Sequence, residues 1–316
     1  MAERPVLALA ALGLVAVLAA VAYLALNLRG DIAFALELRG MRLAALVTVA
    51  VAIAVSTVLF QTVTANRILT PSIMGVDALY VFGQTGLVFA LGGLGFATLD
   101  ARAKFLGDLA LLMALSLALF LPLLKARLDM TLLLLTGVVV GVLFRSLSAL
   151  IARLIDPNDF SVAQVSSFAS FSQVRPDLLG LAAAMTAAAL VLAWRARHVL
   201  DVLALGRDAA IGLGIEWRRT VVGLMLLTSA LVAVSTALVG PVVFLGLVVV
   251  ALAERLTDTR RHAVLLPAAA LVAIATLVGG QALLQHVFGG AGTLGIVVEF
   301  VGGLVFLALL IAEIRR

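Results

Sequence analysis

The sequence predicts an all-α, polytopic membrane protein with about ten transmembrane helices, and three observations carry that prediction. Of 316 residues 64% are hydrophobic and only 12% charged, with a mean hydropathy of +1.24, whereas soluble proteins carry roughly 25% charged residues. The apolar residues fall into ten runs punctuated by charge, glycine or proline, and at about 20 residues per crossing these runs use most of the chain. Basic residues gather in alternate connecting segments. Lipid offers no water to backbone amides and the alternation of barrel strands is absent, so the runs are helices. Residues 1–316 are expected to form a single transmembrane domain, with no room for a second, globular one.

The first run, 6–27, follows Glu3 and Arg4 and ends in small residues, as a signal peptide does. Its length exceeds an h-region of roughly 7–15 residues, so it reads as an uncleaved span. Runs at 43–64, 72–92, 105–124 and 131–151 follow, the last holding Gly137 and Gly141 at a spacing that permits close helix approach. Segment 152–176, with Asp156, Pro157, Asn158, Asp159 and three phenylalanines, predicts a short interfacial helix. Further runs lie at 177–194, 220–238, 242–254, 263–284 and 294–312. The run 242–254 is too short to cross alone and predicts a half-helix packed inside the protein.

With a cytoplasmic N-terminus and ten alternating spans, the inside segments hold Arg4, Arg67, Lys125, Arg127, Arg195, Arg197, Arg207, Arg218, Arg219, Arg255, Arg260, Arg261, Arg315 and Arg316. That majority of the 22 basic residues places both termini in the cytoplasm. The same arginines explain the net charge of +5 without nucleic acid.

Several chemistries are excluded. Zero cysteines remove disulfides, thiolate catalysis and Cys-ligated metals. Lys104 and Lys125 are the only lysines and neither follows a glycine, so the chain is not itself a Walker-type ATPase. Gly290, Gly292 and Gly295 spell GxGxxG, but after a membrane run rather than a strand, and read as a flexible loop. His198, His262 and His286 lie in separate loops with no second ligand at i+4, and read as solvated histidines rather than metal ligands. No GxSxG elbow supports a protease. Nothing marks the chain as an enzyme, and no cofactor or metal site is expected.

Charges inside spans cost about 2.5–3.5 kcal/mol at a helix centre, which makes Arg145 and Glu299 informative. Both are expected in the outer half, where they either interact and line a substrate pathway or snorkel to the interface.

Between the sixth and seventh spans, within a cytoplasmic loop 195–219, runs Leu203-Ala204-Leu205-Gly206-Arg207-Asp208-Ala209-Ala210-Ile211-Gly212-Leu213-Gly214-Ile215. So apolar a stretch, bounded by glycines and arginines, suits either a short helix docking in a partner's groove or one resting on lipid. It resembles the LALG-x-x-x-A-x-x-LG loop of the FecCD family of ABC-transporter permeases. Other landmarks occur in order. Arg39-Gly40-Met41-Arg42 resembles that family's RLPR, with Gly40 and Met41 replacing the middle residues, and Asn66 through Val76 its NPLADPxLLGV, with Arg67 and Thr70 departing. Gly240-Pro241-Val242-Val243-Phe244-Leu245-Gly246-Leu247 resembles GPIGFVGL, although Val250-Ala251 replaces a Pro-His. Arg261-His262 with Leu265-Leu266-Pro267 is similar to HRxLLP, and Gly295-Ile296-Val297 with Gly302 to GIVTALIGAP, where Glu299 and Leu304 depart. Residues 65–80 and 154–160 look like the branch for petrobactin, anguibactin and vibriobactin siderophores.

The resemblance implies a permease subunit of a type II ABC importer carrying a ferric siderophore across the bacterial cytoplasmic membrane. Another iron chelate, haem or cobalamin is an alternative cargo. The competing class is a proton-coupled secondary transporter with Glu299 as its carboxylate. Implied partners are a second permease, in a hetero- or homodimer, two ATP-binding subunits that use ATP and Mg, a periplasmic or lipid-anchored siderophore-binding protein, and membrane lipid. Leu205, Gly206, Asp208, Ala209, Gly212 and Gly214 would couple to the ATPases, and Arg39 and Arg42 would dock the binding protein or anchor at the interface.

Overall fold

The computed structural model describes residues 3–27, 31–125, 130–171, 174–289 and 293–314. Arg127, Gly290, Gly292, Arg315 and Arg316, invoked above, lie outside the described residues. The described residues form helices α1 (Glu3–Ala25), α2 (Ile32–Thr64), α3 (Val76–Thr98), α4 (Ala101–Lys125) and α5 (Met130–Ala152). After these come α6 (Pro157–Ser166), α7 (Pro176–Arg195), α8 (Arg197–Leu203) and α9 (Arg207–Gly212). The chain continues through α10 (Trp217–Val239), α11 (Leu245–Thr257), α12 (His262–His286) and α13 (Leu294–Ile314), with a 3-10 turn at Pro71–Met74.

Each expected run is a helix. Seven of them, α1, α2, α3, α5, α7, α10 and α12, are long and apolar enough to cross a membrane unaided. Helix α4 carries Arg102, Lys104 and Asp108, α13 adds the apolar stretch Leu294–Val305, and α11 has the 13 residues of the expected half-helix. The interfacial helix is α6, capped by Asp156, whose carboxylate accepts from the Asn158 amide.

The bundle is built around α2. It packs on α10, α12, α7 and α11, while α12 also holds α1 and α11, and α10 holds α4 and α7. Lipid tails are as apolar as leucine, so helices associate through close packing rather than hydrophobic transfer. Small residues are part of this packing: Ala50, Ala52 and Ala54 of α2 and Ala268, Ala269 and Ala273 of α12 belong to one buried cluster that also holds Leu46, Phe60 and Leu266. Helix α1 is peripheral and leaves Val6, Leu14 and Val17 outward. A second unit joins α3, α5 and α6. Its closest backbone-to-backbone approach is at Gly75, at φ 89, where an added Cβ would stand 3.0 Å from the Gly141 backbone and 3.1 Å from the Gly137 carbonyl. The GxxxG spacing of α5 therefore receives the turn before α3.

Helix α2 starts eleven residues earlier than the 43–64 run predicts, which places Arg39-Gly40-Met41-Arg42 inside a helix rather than before it. Asp31 sets the start by accepting from the Ala33 and Phe34 amides, the capping chemistry that satisfies orphan donors. Gly40 costs this helix about 1 kcal/mol relative to alanine, and a Cβ there would meet no neighbour.

Candidate functional site

One end of the bundle carries two short helices. Helix α8 is held by Leu200 and Leu203, and α9 by Ala210, all buried. Between and after them Gly206, at φ 99, and Gly214, at φ 86, take backbone conformations that L residues avoid. The expected single short helix is thus two, hinged at Gly206. Leu205, Ile211 and Leu213 point outward, 65%, 48% and 63% exposed, beside exposed Arg207, Asp208 and Ala209. Buried anchors below and an exposed apolar trio above leave the loop with an uncovered apolar surface. Gly212 differs from the other two glycines in being helical; all three have open space where a Cβ would go.

The ends of α2, α11 and α12 meet this loop around a cleft that includes Gln61, Arg67, Ala204, Glu254, Arg260 and His262. Arg67 and Glu254 pair across it at 3.4 Å. His262 departs from the solvated histidine expected. It is 3% exposed, its backbone amide and its Nδ1 both meet Asp201 Oδ1, at 2.8 and 2.7 Å, and its Nε2 meets Thr62 Oγ1 at 2.8 Å. His198 is exposed, as expected of a solvated side chain. His286 ends α12, half-buried, with Nε2 3.4 Å from the Tyr23 carbonyl.

At the opposite end, Arg39 is buried. Its Nη1 donates to the carbonyls of Tyr23, Leu24 and Leu26 at 3.2, 2.9 and 2.7 Å, and its Nη2 to Asn27 at 3.2 Å. These are the orphan acceptors at the negative end of α1. Arg39 therefore closes a helix end within its own chain, and its guanidinium is not presented outward as the docking expectation has it. Arg42 is half-buried beside the Tyr23 hydroxyl.

Within the bundle, Arg145 is exposed on α5 and Glu299 half-buried on α13, where Glu299 lines an open groove with Phe244, Phe300 and Leu304. Of the two alternatives the sequence leaves open for Arg145 and Glu299, direct pairing is not seen: among the described residues no ion pair joins them. Each instead lies within electrostatic reach of Asp77, a buried carboxylate at the start of α3 that also neighbours the Ser72 hydroxyl. Neither Asp77 oxygen has a hydrogen-bond partner within ordinary geometry. A second buried pair, Gln84 Nε2 donating to Asp108 Oδ1 at 2.8 Å, ties α3 to α4. Lys104, one turn from Asp108, lies 3.9 Å over the Phe96 ring. Asp77 and Asp108 were legible by the same rule that singled out Arg145, since both lie in apolar runs.

A helical bundle with apolar spans, sparse charges within them and an uncovered apolar loop at one end is the architecture of a polytopic membrane protein. Residues 6–312 match the FecCD transport family, and the chain belongs to that family. It is 41% identical over 285 residues to the petrobactin import system permease protein YclO of Bacillus subtilis, covering 90% of each chain. It is 30% identical to the petrobactin import system permease protein FatC of Bacillus anthracis, covering 87% of this chain and 78% of that one. Among solved structures it superposes with a TM-score of 0.84 on a metal-chelate type ABC transporter in an inward-facing conformation, at 20% identity, covering 97% of this chain and 99% of the other. At that identity the likeness concerns the fold.

Proposed function

We propose that the chain is the membrane-spanning permease subunit of an ATP-binding-cassette importer that takes a ferric siderophore of the petrobactin kind across the bacterial cytoplasmic membrane. The observation that carries this is the α8–α9 surface: anchored by Leu200, Leu203 and Ala210, it offers Leu205, Ile211 and Leu213 to a partner. An ATPase docked there closes on ATP and displaces the loop, and the spans tilt with it as rigid bodies. ATP and Mg belong to that subunit, and this chain holds no cofactor. The loop end then faces the cytoplasm, with both termini on that side.

The exposed face of α5 supports a second permease. It sets Arg145 and Ser146 beside Val138, Val139 and Val142, and an arginine facing hydrocarbon is costly. A partner permease across that face encloses a pathway in which Arg145 favours an anionic ferric chelate, with Asp77 and Glu299 nearby to limit how tightly it is held. A siderophore-binding protein delivers the cargo from outside, with Arg42 among its contacts.

The test is affinity purification of the chain with a second permease, ATPase and binding protein, followed by uptake of a panel of radio-iron siderophores into proteoliposomes. The expected result is a stoichiometric ATPase and vanadate-sensitive uptake of a petrobactin-like chelate. Uptake that ignores ATP and collapses with a protonophore overturns the proposal.

A further inference from the structure

We propose that Asp201, His262 and Thr62 form the mechanical link through which movement of the α8–α9 loop is delivered to α12 and α2. The link rests on the assignment of that loop as the ATPase-docking element.

Helix α12 has no side-chain cap of its own, since Arg261 at its N-cap position makes no such bond. Asp201 of α8 supplies the cap from another element: its Oδ1 accepts from the His262 amide at 2.8 Å and from the ring Nδ1 at 2.7 Å. A carboxylate only accepts, so the proton at this contact sits on Nδ1. Its charge also lies at the positive end of the helix dipole, which strengthens the attachment. On the far side of the ring Nε2 lies 2.8 Å from Thr62 Oγ1, whose one hydroxyl proton is shared between Nε2 and the Val58 carbonyl, 2.8 Å away in the last turns of α2.

One aspartate in the loop thus grips the first residue of a 25-residue helix and, through its ring, the helix at the centre of the bundle. Elsewhere the loop is attached by apolar contacts of Leu200, Leu203 and Ala210, which resist separation but permit sliding. Directional hydrogen bonds to a buried ring resist sliding as well. Arg67–Glu254 across the same cleft is a weaker tie, because the arginine is half-exposed and water screens it.

The test uses the complete complex of permeases, ATPases and binding protein in proteoliposomes, with transport measured per ATP hydrolysed. Asp201→Ala and His262→Ala are expected to retain bound ATPase and continuing hydrolysis while transport per ATP falls about tenfold. Asp201→Asn, whose amide oxygen accepts the same two bonds, restores most of it, and the double alanine variant is no worse than either single one. Thr62→Val, close in volume, carries the test if the alanine variants fail to assemble, with a smaller loss expected. Because the chain has no cysteine, spin labels at His198→Cys and Leu283→Cys report whether α8 and α12 move together. Their distance is expected to stay fixed on ATP binding in the parent and to change in Asp201→Ala.

Normal transport per ATP in all these variants, or a label distance that Asp201→Ala leaves unaltered, overturns the link alone. Absence of ATPase binding by the unaltered chain overturns the importer assignment and the link with it.

Discussion

Arg39 lays its guanidinium on the end of the preceding helix, with Nη1 2.7 Å from the Leu26 carbonyl and three further carbonyls shared between its two terminal nitrogens. An arginine before a span was expected to face a partner; here it ties α1 to α2. Arg39→Ala is predicted to destabilise the chain by about 2–4 kcal/mol, because it leaves several part-buried acceptors without donors. The loss shows as a lower melting temperature in detergent. Arg42→Ala is expected to leave melting nearly unchanged and to weaken binding-protein affinity.

Gly206→Ala and Gly214→Ala are predicted to cost about 1–3 kcal/mol each of local loop stability and to reduce ATPase co-purification severalfold. Gly212→Ala is expected to match the parent, because Gly212 is helical and nothing lies within 4 Å of the added Cβ. Quantitative pull-down of the ATPase distinguishes the three.

Gly75→Ala is predicted to be the most damaging small substitution in the α3–α5 unit. It combines φ 89 with backbone atoms of Gly141 3.0 Å from the new Cβ, so neither rotation nor a flexible neighbour relieves it. A loss of about 2–4 kcal/mol is expected, read as reduced yield of folded chain by fluorescence-detected size exclusion.

Asp77 divides the intramembrane charges differently from sequence expectation. Arg145→Ala is predicted to lower uptake without lowering ATPase assembly. In double-mutant cycles on uptake rate, Asp77→Asn with Arg145→Ala should be non-additive by about 0.5–3 kcal/mol, while Arg145→Ala with Glu299→Ala should add within about 0.5 kcal/mol. Additivity in the first pair removes Asp77 from the pathway.

The spans were legible because their signal is local: each apolar run announces a helix, and the 13-residue length of α11 already excluded a full crossing. The apolar loop was legible for the same reason, from Leu205 and Leu213 among glycines, but its division into two helices at Gly206 was not. Polar partnerships were not. His262 reads as a loop residue because its partners, Asp201 and Thr62, are 61 and 200 positions away. Arg39 reads as surface because a helix end that needs donors is invisible until α1 and α2 fold back on each other. Asp77 and Asp108 were diluted by their apolar neighbours, although intramembrane carboxylates are as informative as the arginine that was noticed.

The outward trio Leu205, Ile211 and Leu213 also bears on how the chain fares in a cell. A copy made in excess of its proposed ATPase keeps three large apolar side chains uncovered at one end of the bundle, where they invite aggregation and proteolysis. Under the proposed assembly, subunit supply is expected to be balanced, with surplus permease cleared through the same patch that is proposed to recruit the ATPase. The steady-state level of the chain should therefore fall when the ATPase is depleted, with its synthesis unchanged.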